Sequence, residues 1–148
     1  MPALRGQCSC GAVEFEFSTD ALRAYQCHCS ICRKASGSAY STTLMAPESK
    51  FSWVRGMEYV SSYAKENGYK VNFCSRCGSP VPNKFRNFSL YSVPVGSLEG
   101  TPNIEVVAKI YLGSRATWDK DQFQGKRFVE MPSSLNEMLE LLHAHAEP

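Results

Sequence analysis

From Val13 to Phe17 the chain alternates apolar and charged side chains, Val13-Glu14-Phe15-Glu16-Phe17. A period of two turns one set toward a core and the other toward water, which predicts a half-buried strand. Tyr40 to Ala46, Phe51 to Val54, Ser89 to Val95 and Ile104 to Leu112 predict further strands. Tyr59 to Ala64 and Tyr69 to Phe73 flank Asn67-Gly68, a strong signal for a hairpin turn. Ser18-Thr19-Asp20, Pro47-Glu48-Ser49-Lys50 and Arg55-Gly56 read as turns, and Ser79-Pro80-Val81-Pro82 is excluded from any central strand. Arg33 to Ser38 predicts one helical turn and a loop. From Gly113 to Pro132 the pattern is irregular, with Trp118, Phe123 and Phe128 available as anchors. One helix is predicted at about 134–146. Ser134 and Glu137 form a capping box there, and Leu135, Met138, Leu139 and Leu142 form an apolar face. No repeat, low-complexity segment or linker divides residues 1–148, so the expectation is a single, mostly β domain with a C-terminal helix laid on it.

The cysteines change the picture. All seven fall in three clusters: Cys8-Ser9-Cys10, Cys27-His28-Cys29-Ser30-Ile31-Cys32 and Cys74-Ser75-Arg76-Cys77. Neighbouring thiolates can bend round one soft ion, and the odd count argues against a fully paired disulfide framework. On an extended backbone Cys8 and Cys10 would face the same side. Cys74-x-x-Cys77-Gly78 reads as a zinc-knuckle turn. A structural zinc takes four protein ligands, and Cys8, Cys10, Cys74 and Cys77 supply two pairs from distant segments. Cys27, Cys29 and Cys32 are then left as three ligands with an open fourth position, the mark of a catalytic or ligand-binding site. A partition of Cys8 and Cys10 with Cys27 and Cys29 stays open on spacing alone.

Gly6-x-Cys8-x-Cys10-Gly11, Cys27-His28-Cys29-x-x-Cys32-Arg33-Lys34 and Phe73-Cys74-x-x-Cys77-Gly78, in that order, resemble the glutathione-dependent formaldehyde-activating enzyme family, which includes centromere protein V. The resemblance runs from about residue 5 to residue 118 and takes in Gly113-Ser114-Arg115-Ala116-Thr117-Trp118. It implies a β-tent zinc-binding fold related to the Rab-binding guanine-nucleotide release factor. It also implies two zinc ions per chain: a structural one on Cys8, Cys10, Cys74 and Cys77, and a catalytic one on Cys27, Cys29 and Cys32. The implied activity is that of a carbon–sulfur lyase or synthase forming S-(hydroxymethyl)glutathione from glutathione and formaldehyde. The chain departs from the family at Lys109, where many members carry histidine, and at Thr117, where proline is common.

Three thiolates over-neutralise a zinc ion, so such a site suits thiolate binding better than water activation. Arg33 and Lys34 follow the cluster directly and are expected to attract the carboxylates of glutathione, against the plainer reading of solvated surface charges. His28 is expected to face away from the metal in a structural role, and His143 and His145 to have none in chemistry. Tyr40, Trp53, Tyr63 and Trp118 are candidate pocket walls, though aromatics on short strands are more often core.

The formal charge of +2 would fall to about −1 with seven thiolates and two zinc ions. Basic residues form no run or stripe, which counts against a nucleic-acid-binding zinc ribbon. No apolar run spans a bilayer and no leader pattern opens the chain, so a cytoplasmic protein is expected, with no membrane partner. The expected partners are glutathione or another small thiol and a small aldehyde, and a homodimer is compatible with the sequence. The competing reading is a non-catalytic glutathione carrier or a zinc-stabilised protein-interaction module.

Overall fold

The computed structural model describes residues 3–100 and 102–142, and within them eleven strands form three sheets. The first sheet joins β1 (Leu4–Gln7), β2 (Glu14–Phe17) and β5 (Phe51–Arg55) in that order. The second contains β3 (Arg23–Cys27), β4 (Ser41–Pro47), β9 (Asn83–Lys84), β10 (Leu90–Pro94) and β11 (Glu105–Ile110), ordered β11-β3-β4-β10-β9. The third is β6 (Val60–Ala64), β7 (Lys70–Cys74) and β8 (Pro80–Val81), ordered β6-β7-β8. Pairing is antiparallel except between β11 and β3, which run parallel. The hairpin across Asn67-Gly68 forms as expected, and Pro80 sits on an edge strand, where its missing N–H costs no ladder bond.

The alternation in β2 decides the main core. Phe15 and Phe17 turn inward and are buried against Leu44, Ala46 and Val93 of the second sheet. Glu14 and Glu16 turn outward, where Glu14 meets Arg55 at 3.2 Å. Phe51 of the first sheet stacks on Tyr91 of the second, ring centroids 3.9 Å apart. A smaller core of Cys8, Val13, Cys74 and Val81 lies where the first and third sheets meet.

Two helices depart from expectation. Where one turn was expected from Arg33, α1 spans Ser30–Ser36. It starts inside the thiol motif because the Cys29 sulfur caps it, accepting the Cys32 N–H at 3.3 Å. The last helix, α2, covers Leu135–Leu141. Ser134 caps it at Glu137 N, but the Glu137 carboxylate accepts from the N–H and hydroxyl of Ser133, one residue earlier than a reciprocal box requires. Residues 143–148, with His143 and His145, lie outside the described residues. The α2 helix forms where expected, but its apolar face is only partly covered: Met138 and Leu139 are half-buried, while Leu135 and Leu142 are about two-thirds exposed. Trp118, Phe123 and Phe128 are exposed as well and do not act as anchors. The segment after β11 forms no strand, so nothing aims its side chains at the core already closed between the first two sheets. Among the described residues no helix is long and apolar enough to cross a membrane.

Candidate metal centres

Two turns carry the first centre. Cys8 and Cys10 lie between β1 and β2, and Cys74 ends β7 with Cys77 in the turn that follows. Cys8 and Cys10 are not on extended backbone as expected. The chain turns there, with the Gly11 N–H bonded to Cys8 O and the Cys8 N–H to Val13 O, each at 3.0 Å. At the other turn Gly78 adopts φ 77°, open to glycine without strain, and its N–H reaches Cys74 O at 2.7 Å. The Ser9 N–H donates to Ser79 Oγ and ties the two turns together. The four sulfurs lie within 4.8 Å of one another. Cys8 and Cys10 are 3.6 Å apart, and Cys10 and Cys74 are 3.9 Å apart. A tetrahedron with metal–sulfur bonds of about 2.3 Å needs sulfur–sulfur distances of roughly 3.8 Å, so the donor set fits a soft divalent ion. The Ser79 hydroxyl, then the Ser79 and Cys10 backbone, draw the Cys77 thiol down to about 5. The Ala12 N–H lowers Cys10, but burial and sharing with the neighbouring thiols push it up to about 11.

The second centre is local. Cys27 ends β3, Cys29 caps α1 and Cys32 sits in its first turn. A helix start brings residues three apart onto one side, so one short stretch gathers three sulfurs within 4.8 Å. No fourth Cys, His, Asp or Glu joins this group among the described residues. Burial pushes the Cys32 thiol up to about 12, and sharing with Cys27 and Cys29 adds to the rise. Burial also pushes Cys29 up, but hydrogen bonds from the Cys32 N–H and the two other thiols outweigh it and leave Cys29 lowered. Both three- and four-thiol sets can hold a metal ion.

The three thiols line a cavity of about 720 Å³. Its walls include Tyr25 and Tyr40 of the second sheet's side, Tyr69 and Lys70 from the third sheet, Phe85, and Tyr111 beyond β11. Burial first, then the charges of Cys32, Cys29 and Cys27, push the Tyr69 phenol up to about 12. Of the expected aromatic walls only Tyr40 lines this cavity. Trp53 packs edge-on against Phe51 and Phe15, while Tyr63 and Trp118 are exposed. Arg33 and Lys34 stand on α1 outside the lining. The residues missed in sequence, Tyr25, Tyr69, Lys70, Arg86 and Tyr111, carry no motif, and only the Asn67-Gly68 turn hinted that Tyr69 starts a strand.

His28 points away from the thiols' cavity and is 1% exposed. Its Nδ1 lies 3.4 Å from Asp119 Oδ2, and its ring packs on Tyr40 at 4.9 Å. The Ile110 carbonyl accepts the His28 N–H at 3.0 Å, which ties the thiol loop to the end of β11. Arg115 holds Asp119 at 3.3 Å and Asp121 at 2.8 Å.

Residues 3–114 match the family described as glutathione-dependent formaldehyde-activating enzyme. The chain belongs to this family. Among curated proteins, this family member is 35% identical over 84 residues to a Halomonas elongata protein provisionally named for the same activity. That match covers 53% of the chain and 54% of the relative, so the chain spans about half the relative's length. A crystal structure of a Rhodobacter sphaeroides protein is similar at TM-score 0.58 and 31% identity, over 71% of this chain and 98% of that one. Asp119 and α2 lie beyond the family match, so the partner of His28 comes from outside it.

Proposed function

We propose that this family member binds glutathione, or another small thiol, at Cys27, Cys29 and Cys32 and joins it to a small aldehyde such as formaldehyde. The observation that carries the reading is a set of three thiols with a cavity where a fourth donor would stand. Zinc held by these three cysteines would lower the pKa of an incoming thiol and make it a nucleophile at neutral pH. A new carbon–sulfur bond forms at the aldehyde carbon as the carbonyl π bond breaks. The thiol's proton ends on the former carbonyl oxygen, giving S-(hydroxymethyl)glutathione, and the reverse is a carbon–sulfur lyase step. Tyr69 keeps its proton at neutral pH and offers a donor inside the cavity. Tyr40 and Phe85 supply apolar wall, and the cations of Arg33 and Lys34 raise the local potential for an anionic thiol from outside it. Cys8, Cys10, Cys74 and Cys77 hold a second, structural zinc in this reading, and the setting is cytoplasmic.

Metal analysis should give two zinc ions per chain. Adduct formation from glutathione and formaldehyde, followed by NMR, should run faster than the uncatalysed reaction and disappear in Cys29→Ser. A metal-loaded protein with no acceleration would defeat the enzyme reading and leave a glutathione carrier. A protein-interaction role is favoured by exposed apolar side chains, Val106 and Val107 on β11 and Trp118 and Phe123 in the segment after it.

A further inference from the structure

Two residues other than glycine adopt a left-handed backbone among those described, Arg86 at φ 50° and Tyr111 at φ 57°. Both line the cavity of the three thiols, although they come from different loops. Side chains with a Cβ avoid that conformation, and where it persists it tends to mark a functional site. At Arg86 the surroundings explain how it is held. Its Nη1 donates to the Asn67 carbonyl at 3.0 Å, across the tip of the β6–β7 hairpin. Gly68 leaves the space for this contact: at φ 91°, a Cβ there would stand 2.5 Å from the same Nη1. The guanidinium therefore bridges two loops at the cavity and keeps further N–H donors.

The charge on the wall is one-sided. Lys70, Lys84 and Arg86 line the cavity, and no Asp or Glu does among the described residues. Lys84 is already matched by Glu48 at 2.7 Å. Lys70 and Arg86 have no acidic partner within ion-pair distance among the described residues. The volume of about 720 Å³ falls in the usual range for ligands well above one carbon in size.

We infer that Lys70 and Arg86 form the carboxylate-binding rim of the thiol cavity, which selects a peptide-sized anionic thiol over small neutral ones. The inference rests on the proposed thiol-binding function and places the ligand's carboxylates where the β9–β10 loop meets the β6–β7 hairpin, not at Arg33 and Lys34, which lie outside the lining. A guanidinium gives a carboxylate a fork of donors, and an ammonium gives a point charge, so the two suit two separated carboxylates.

The test is calorimetric binding to the zinc-loaded full chain of glutathione, S-methylglutathione and 2-mercaptoethanol. Lys70→Gln and Arg86→Gln should each weaken both peptides about tenfold or more and leave 2-mercaptoethanol unchanged. Lys70 is an exposed strand residue, so Lys70→Gln keeps the test valid if Arg86→Gln disturbs the hairpin tip. Unchanged peptide affinity in both variants would overturn the rim. Equal weakening of all three ligands would overturn it too, because the cations would then act on the thiol cluster itself. No binding of either peptide at millimolar concentration would also overturn it. Equal affinity of glutathione and S-methylglutathione, both still sensitive to the variants, would uphold the rim while defeating binding through sulfur.

Discussion

Cys10 and Cys74 of the first thiol cluster are 64 residues apart in the chain, whereas Cys27, Cys29 and Cys32 come from one stretch of six. The first cluster joins a turn of one sheet to a turn of another and sits over its own small core. The second closes only a strand-to-helix corner and looks into a cavity. A donor set gathered from distant segments exists only in the folded chain, so metal affinity there is folding energy. A local set changes the folded chain little, and its affinity remains available to a ligand. The same side chain thus stands in two settings, one spanning distant segments and one local beside a cavity, and under the proposed function the first serves stability and the second chemistry.

The largest expected effect breaks the first cluster. Cys74→Ser removes a buried donor, and structural zinc contributes about 10–16 kcal/mol in small zinc domains. That is comparable to the whole stability of an ordinary domain, about 5–15 kcal/mol, so the variant should be unfolded by circular dichroism. Cys29→Ser should instead keep the fold, shifting the melting midpoint by only a few degrees, about 1 kcal/mol. Its thiol binding should fall by more than about 100-fold, beyond what loss of an outer partner costs. If both variants melt alike, the two clusters do not divide the work.

Chelation sharpens the same contrast. The three-thiol cluster faces a cavity through which a chelator can enter, so its metal should leave first, with the second lost only as the protein unfolds. Metal content followed alongside circular dichroism would show two phases, and a single phase would contradict the division. A smaller effect is expected at Asp119, which faces the buried His28 between two of the local donors. Asp119→Ala should cost about 1–2 kcal/mol. It should also lower metal affinity at the three-thiol cluster about tenfold while sparing the four-thiol one. Competition with a chromophoric chelator resolves the two. The smallest effect is expected at Trp118, which is 66% exposed, where Trp118→Ala should change stability by less than about 0.5 kcal/mol. A larger loss in a thermal melt would mean that the segment after β11 packs against a partner in solution.

Much of this division was legible in the residues themselves. Period two in Val13 to Phe17 is a local property, and it correctly turned Phe15 and Phe17 inward. Asn67-Gly68 made its hairpin, and cysteine spacing together with the family resemblance gave the grouping of four and three thiols that the structure gathers. The strand, the hairpin and each cysteine pair or triplet are set within a few residues, where backbone geometry admits few alternatives, whereas the joining of Cys8 and Cys10 to Cys74 and Cys77 across 64 residues rested on the resemblance. Other features came from contacts that no short window contains. The start of α1 at Ser30 depends on a thiol acting as a helix cap, which composition does not signal. Parallel pairing of β11 with β3 brings Ile110 to His28 and Tyr111 to the cavity, and strand order is not written in periodicity. Lys70, Arg86 and Asp119 likewise look like ordinary surface charges along the chain. They meet the thiols and His28 only because three sheets pack as they do, so the sequence by itself determined the donors, and tertiary structure decided what faces them.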